Sequence, residues 1–316
     1  MSAALSSAVP ALAALPPAAL AKLAAALTER EMPAGGALFA EGDAADAMYF
    51  IVAGTVRIEK RTGGAAGGVK TLALLGRGDP VGEMAIFDGQ PRSATALAEP
   101  GTRLVRMGRD TFHTLLHVDA EAGAAFLFAM IRAGNARTRR LNSQVVVFHE
   151  IGKAIGESTR LDALLEVVVR QLVLGTGADG GGAAVQGEFT GRWELRSAHG
   201  LTLDAAACEA LAGGVLGRAV ADGRPRLVAD LDADAELKAL PRAGWETPSL
   251  ILQPGVRDGR ALGVLFLTGA RPGHFDLNDL NLCASVASQT AQAILVFRHR
   301  EEEAARSRHI QRRVSF

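Results

Sequence analysis

Apolar and polar residues alternate in short segments over the first third of the chain. Strand-like apolar positions occur at Val56 and Ile58, at Leu72 and Leu74, and at Leu104, Val105 and Met107. A period of two residues predicts strands with one buried face. Glycines separate these segments, as at Gly42 and Gly54, where we expect tight corners with positive φ. We therefore predict a roll of short antiparallel strands with flanking helices.

A long helical pattern without proline follows, from about Asp119 to Lys153. Its apolar and small residues recur at spacings of four and three, at Leu127, Ile131, Gly134, Thr138, Leu141, Val145, Phe148, Gly152 and Ile155. These nine positions, here called the seam, predict a two-stranded coiled coil. The alternative is a helix that packs on its own domain. We favour a parallel homodimer, because one small domain could not cover so long a stripe.

The second half of the chain predicts an α+β domain. An amphipathic helix is indicated by Leu161, Leu164, Leu165, Val168 and Leu172. Strands are expected at 182–189, 193–198, 227–230, 249–256 and 260–268, and a closing helix at 280–295. Helices at both ends of a mostly antiparallel sheet are typical of α+β folds. The predicted organisation is residues 1–118 as one domain, 119–158 as the helix, 159–297 as the second domain and 298–316 as a charged helical tail.

Composition narrows the functional classes. The 316 residues suffice for two domains, and 34 basic residues balance 34 acidic ones. Bulk charge therefore favours neither nucleic acid nor membranes as partners. Only two cysteines, Cys208 and Cys283, are present, which favours a reducing cytoplasm and two inert buried thiols. We expect neither a signal peptide nor a membrane span.

The candidate chemistry lies in residues 82–94. Gly82 allows a close backbone approach, and residues 83–87 can form a helical turn with free N–H groups. Arg92 offers a fork of donors to a phosphate, and Glu83 offers an acceptor. The alternative is a buried Glu–Arg pair in a β-hairpin.

This run resembles the phosphate-binding cassette of the cyclic nucleotide-binding domain family, of the catabolite-activator type. The matching positions are Gly82, Glu83, Met84, Ala85, Arg92, Ser93 and Ala94. The resemblance extends over residues 12–150 and implies a jelly-roll-like β-roll. Pro80 departs from the pattern, since the family usually has an apolar or aromatic residue there.

The resemblance implies a role for each site residue. Arg92 and the N–H groups of the 83–85 turn would bind the cyclic phosphate, Glu83 the ribose 2′-hydroxyl, and Ser93 the phosphate. Thr138 falls, beside Arg137, where a family member places base-contacting residues on the helix, although its hydroxyl could instead bond its own backbone. Serine at position 93 favours cyclic AMP over cyclic GMP.

The second domain resembles a GAF domain. The resemblance rests on residues 198–201, 214–220, 223–225 and 261–265, and on His274, Phe275 and Asp279. The signature of the cyclic-GMP-binding GAF branch is incomplete because Leu280 stands in place of glutamate. We therefore expect no second cyclic nucleotide.

Together these features predict a non-enzymatic cyclic nucleotide sensor with no metal and no cofactor. It would be a homodimer that acts on an unknown downstream protein. Two alternatives remain open: the regulatory half of a longer enzyme, such as a cyclase or a metal-dependent phosphatase, and a dimeric scaffold that binds no nucleotide.

Overall fold

The computed structural model describes most of the chain as two compact units. The described residues are 5, 7–33, 36–62, 68–187, 191–201, 214, 216–217, 223–238 and 247–314, the side chains of 62 and of 301–314 excepted. The units are Met1–Arg140 and Leu141–Phe316. The division falls within the long helix, which spans Ala120–Glu157 where the sequence predicts 119–158. Helix and antiparallel sheet are mixed, as predicted.

The first unit contains two four-stranded antiparallel sheets. Its strands are β1 (Thr28–Glu31), β2 (Ala37–Phe39), β3 (Ala47–Ala53), β4 (Val56–Thr62), β5 (Gly68–Leu75), β6 (Pro80–Val81), β7 (Thr95–Ala98) and β8 (Arg103–Gly108). Their order is β1-β8-β3-β6 in one sheet and β2-β7-β4-β5 in the other. Its helices are α1 (Pro10–Ala13), α2 (Pro17–Ala26), α3 (Met84–Phe87), α4 (Arg109–Val118) and the first half of α5 (Ala120–Glu157).

Strand alternation builds two cores around the first sheet. Tyr49 and Ile51 of β3 face the second sheet and form a core with residues of β4 and β7. Met48 and Phe50 point the other way and pack with α2, α4 and α5. Alternate residues of β3 therefore face two different cores, which explains why this strand is continuously apolar.

Among its described residues, the second unit contains a five-stranded antiparallel sheet, and its long helices pack on one face of that sheet. Its elements after α5 are α6 (Leu161–Thr176), β9 (Gly180–Gln186), β10 (Trp193–His199), β11 (Arg226–Val228), β12 (Ser249–Arg257), β13 (Arg260–Gly269) and α7 (Leu277–Val314). The strand order is β10-β9-β13-β12-β11. Asp258 and Gly259 form the tight β12–β13 turn, and both have positive φ, as the two central residues of a type I′ hairpin turn require.

The helices of this unit bury a large apolar core. The core combines the inward faces of α6 and α7, Val147 and Ile151 of α5, and alternate residues of the sheet such as Ile251 and Leu267. Within the described residues, one segment, Leu277–Arg300 of α7, is long and apolar enough to cross a membrane, with a mean hydropathy of 1.3. Half of its most apolar 18-residue stretch is buried within the protein.

Candidate ligand-binding site

The predicted cassette forms the connection between β6 and β7. It begins at Gly82 with φ of +73° and continues into the single turn of α3. The first hydrogen bonds of this turn are donated by Ile86 and Phe87 to the Glu83 carbonyl. The N–H groups of residues 83–85 therefore precede the bonded part of the turn, where helical N–H groups are available to an anion.

The loop between β2 and β3 fixes the main chain of Arg92. The Arg92 N–H donates to the Asp43 carbonyl at 2.9 Å, and the Gly42 N–H donates to the Arg92 carbonyl at 2.8 Å. Gly42 has φ of +90°, a conformation that glycine adopts without strain. A corner 50 residues upstream thus sets the direction of the Arg92 side chain.

Arg92 is a buried cation held by neutral groups. Only 3% of the residue is exposed. Its Nη1 donates to the Gly82 carbonyl at 2.6 Å and its Nη2 to the Ala47 carbonyl at 2.5 Å. Its guanidinium lies 4.1 Å from the centre of the Phe39 ring, within the range of a cation–π contact.

The charge of Arg92 is incompletely compensated within the part of the chain that the structure describes. Its Nε is buried and donates to none of the described residues. Burial lowers the pKa of the guanidinium, and the charges of Tyr49, Asp46 and Asp43 oppose this effect. Arginine nevertheless stays protonated in proteins. A buried cation with an unused donor is suited to bind an anion.

Gly82 leaves room for this arginine. A Cβ at position 82 would lie 2.4 Å from Arg92 Nη1 and 2.9 Å from Cε1 of Phe39. Real Cβ atoms do not approach other heavy atoms so closely, so any side chain here would displace Arg92. The glycine is therefore required both by its positive φ and by the position of the cation.

Glu83 is joined to the long helix. Its Oε1 accepts a hydrogen bond from Arg137 Nη1 at 3.1 Å, and Arg137 Nη2 donates to the Pro80 carbonyl at 3.1 Å. The side chains are 15% and 34% exposed. Pro80, the departure from the family pattern, lies buried in β6 opposite Phe50 and supplies a carbonyl that anchors Arg137.

The cassette residues surround a pocket whose empty space is about 430 Å³ when its open, solvent-facing part is included. All seven predicted cassette positions line it, together with Phe39, Ile58, Leu75 and Arg137. Ser93 is exposed, and its carbonyl accepts from Lys60 Nζ at 2.9 Å. Ala85 and Ala94 are buried, and Met84 is 57% exposed.

Thr138 lies outside the lining of this pocket. It is exposed on α5, and its hydroxyl donates to the Gly134 carbonyl at 3.1 Å. This is the backbone-bonded alternative that the sequence left open. The neighbouring residue Arg137 contacts the cassette instead. Phe39, Ile58 and Leu75 were not predicted as site residues, and only their apolar character in strands marks them in the sequence.

The middle of the seam is exposed, whereas its ends are packed. Ile131, Leu141 and Val145 are 55%, 48% and 66% exposed. Leu127 packs against the core of the first unit, and Ile155 against that of the second. The exposed positions lie on one helix at heptad spacing, so they form an apolar stripe on the surface of the single chain.

The second unit presents no comparable ionic site among its described residues. Cys283 is completely buried in the helical core, and burial raises the pKa of its thiol far above the usual range. This thiol is therefore inert, as expected. Cys208, the other predicted inert cysteine, lies outside the described residues.

Comparison with known proteins finds a matching domain family for each of the two parts of the chain. Residues 29–119 match the family model of the cyclic nucleotide-binding domain, and residues 158–295 match that of the GAF domain. A cAMP-dependent protein kinase regulatory subunit from Aspergillus niger is 40% identical over 108 residues, which cover 34% of this chain and 25% of that protein. A CRP-like cAMP-activated global transcriptional regulator from Mycobacterium tuberculosis is 33% identical over 129 residues, which cover 41% and 55%.

A solved structure resembles the second half. The GAF domain from an Acinetobacter phosphoenolpyruvate-protein phosphotransferase is 18% identical, with a TM-score of 0.43, and covers 49% of this chain and 93% of that one. The chain spans between a quarter and about half of the length of the two curated relatives above. The two family-model matches confirm the resemblances inferred from the cassette and from the second half: the chain contains a cyclic nucleotide-binding domain followed by a GAF domain.

Proposed function

We propose that this protein is a cyclic AMP sensor that transmits ligand binding along α5 to its GAF domain. The carrying observation is Arg92, a buried cation in the lining of the pocket whose Nε donates to none of the described residues. A cyclic phosphate carries one negative charge and would supply the missing counter-charge. Charge-assisted hydrogen bonds of this kind contribute about 1.5–3 kcal/mol each.

The other contacts follow from the pocket lining. The N–H groups of residues 83–85 would bind the phosphate beside Arg92. The Glu83 carboxylate would accept a hydrogen bond from the ribose 2′-hydroxyl at Oε2, because Oε1 already accepts one from Arg137. The base would lie against the apolar side chains of Ile58 and Leu75. Ser93 favours cyclic AMP over cyclic GMP. The names of the two curated relatives described above also include cAMP.

Coupling to α5 is proposed to run through Arg137. This residue bonds Glu83, which would meet the ligand, and Pro80, which precedes the cassette. Ligand binding at Glu83 would therefore change the hydrogen bonds that join the cassette to Arg137 of α5. A ligand shifts such an equilibrium only through its different affinity for two states, typically by about 1–3 kcal/mol.

A parallel homodimer along the seam is part of the same proposal. The exposed residues Ile131, Leu141 and Val145 would be covered by the same residues of a second copy. A change in the packing of two such helices would reach both GAF domains. We propose that the protein is cytoplasmic and non-enzymatic, and that its output is an interaction with another protein.

Substitution of Arg92 tests the proposed function. We expect Arg92→Ala to abolish cyclic AMP binding in equilibrium dialysis, while Arg103→Ala, an exposed arginine of β8, binds as the wild type does. Circular dichroism should show both variants folded. Wild-type affinity in folded Arg92→Ala protein would refute the site.

A further inference from the structure

Two histidines lie one turn apart on the surface of α4. His113 and His117 are both exposed, their ring centres are 6.4 Å apart, and their planes differ by 14°. They are the only two of the seven histidines in the sequence that are separated by four residues. Residues at i and i+4 share one face of a helix, with Cβ atoms about 5–6 Å apart. The cyclic nucleotide pocket uses neither of them.

Such a pair has the geometry of a chelate. Two histidines at i and i+4 on a helix are a recurring way to bind zinc, with Zn–N distances of about 2.0–2.1 Å. Two nitrogens bound to one ion are thus at most about 4 Å apart. The ring planes are nearly parallel with centres 6.4 Å apart, so each ring must turn to direct one nitrogen at a shared ion, and the exposure of both side chains allows this.

The surroundings define the class of metal. No set of three or more histidine, cysteine, aspartate or glutamate ligands occurs within the described residues, so water would complete the coordination. Imidazole is a good ligand for zinc, nickel and copper, whereas magnesium and calcium prefer oxygen. We propose that His113 and His117 form a surface site for one divalent transition-metal ion of this imidazole-binding class.

The position of α4 makes the site structurally relevant. Phe112, next to His113, contacts Phe87 of the cassette helix α3 at 5.4 Å and Phe126 of α5 at 6.2 Å between ring centres. A metal ion that links two turns of α4 would stiffen α4, which contacts both the cassette helix α3 and the long helix α5. The site itself rests only on the histidine pair and stands whether or not the pocket binds a nucleotide.

Calorimetric titration of the untagged 316-residue chain with ZnCl₂ and with NiCl₂ tests the site. We expect one bound ion per chain, and at least tenfold weaker binding in His113→Ala and in His117→Ala. His149→Ala, which removes another exposed helical histidine, should bind as the wild type does. MgCl₂ should give no binding heat.

A rearranged variant separates chelation from the mere presence of two histidines. The double variant His117→Ala with Thr114→His keeps two histidines on α4 at adjacent positions, about 100° apart around the helix, and should lose the site. Binding that persists in this variant or in either single variant would overturn the proposal, as would equal binding of magnesium. Circular dichroism should confirm that each variant is folded.

Discussion

One added methyl group at position 82 should disable the pocket. Gly82→Ala would place a Cβ 2.4 Å from Arg92 Nη1, which donates to the Gly82 carbonyl. The guanidinium has little room to yield, because Phe39 lies on its face and the Ala47 carbonyl holds its other nitrogen. Either Arg92 moves out of its place or the Gly82 backbone moves away from it.

Two contributions to this effect can be separated. The first is backbone strain, since an L-residue at φ of +73° costs about 1–2 kcal/mol of folding free energy. The second is the displacement of Arg92, which would forfeit charge-assisted bonds to the phosphate worth about 1.5–3 kcal/mol each. Loss of one such bond corresponds to about 10- to 150-fold weaker binding.

Gly89 provides a matched control within the same cassette. It has φ of +70°, but a Cβ there would meet no atom within 4 Å. Gly89→Ala should therefore show a similar loss of stability without the loss of affinity. Stability would be measured by urea unfolding followed by circular dichroism, and affinity by calorimetry with cyclic AMP.

The comparison of the two alanine variants decides whether the position of Arg92 matters. We expect both to be destabilised by similar amounts, and only Gly82→Ala to bind at least tenfold more weakly than the wild type. If Gly82→Ala and Gly89→Ala bound cyclic AMP with the same affinity, the account of Gly82 and Arg92 would be wrong.

Three further predictions concern α5 and the second unit. Arg137→Ala should change cyclic AMP affinity by less than tenfold, because the partly exposed pair with Glu83 is worth about 1 kcal/mol or less. The same substitution should remove any ligand-induced protection of residues 137–150 from hydrogen exchange, whereas Arg132→Ala should retain that protection. Val145→Glu, on the seam, should dissociate the proposed dimer, as measured by analytical ultracentrifugation. Val146→Glu, which changes an exposed neighbour off the seam, should leave the dimer intact. A dimer that survives Val145→Glu would exclude the seam as the interface. The hydrogen bond from Arg196 lowers the pKa of Asp162 from its ordinary value of 3.8, and this effect outweighs the opposing effect of desolvation. The ionised Asp162 therefore stabilises the folded state fully above about pH 4. This stabilisation is lost as the pH falls through the folded-state pKa. Asp162→Asn should therefore flatten the acid limb of a stability-versus-pH curve, by well under 1 kcal/mol at this partly exposed site; an unchanged curve would contradict the assignment.

The cassette could be predicted from the sequence because its parts are local. Gly82, Glu83 and Arg92 lie within eleven residues, and Gly89 and Pro91 between them favour a turn that returns the arginine to the short helix. The strand alternation of β4, β5 and β8 was equally visible. Short-range patterns of this kind depend on backbone geometry that each residue imposes on its neighbours.

The rest of the pocket depends on tertiary pairing that no local pattern reveals. Phe39, Ile58 and Leu75 come from three strands of the second sheet, and their alternation predicts burial without saying which pocket they line. The Glu83–Arg137 pair joins positions 54 residues apart. Thr138 and Arg137 are neighbours in the sequence, but they project about 100° apart around the helix, so only the packing of α5 against the cassette decides which of them contacts it.

The central claim is that the pocket binds a cyclic nucleotide and prefers cyclic AMP. Calorimetric titration of the nucleotide-free 316-residue chain with cyclic AMP and with cyclic GMP tests it most directly. The account predicts one site per chain with micromolar affinity for cyclic AMP, about −8 kcal/mol, and weaker binding of cyclic GMP. Absence of binding heat for both nucleotides on folded protein, confirmed by equilibrium dialysis, would contradict it.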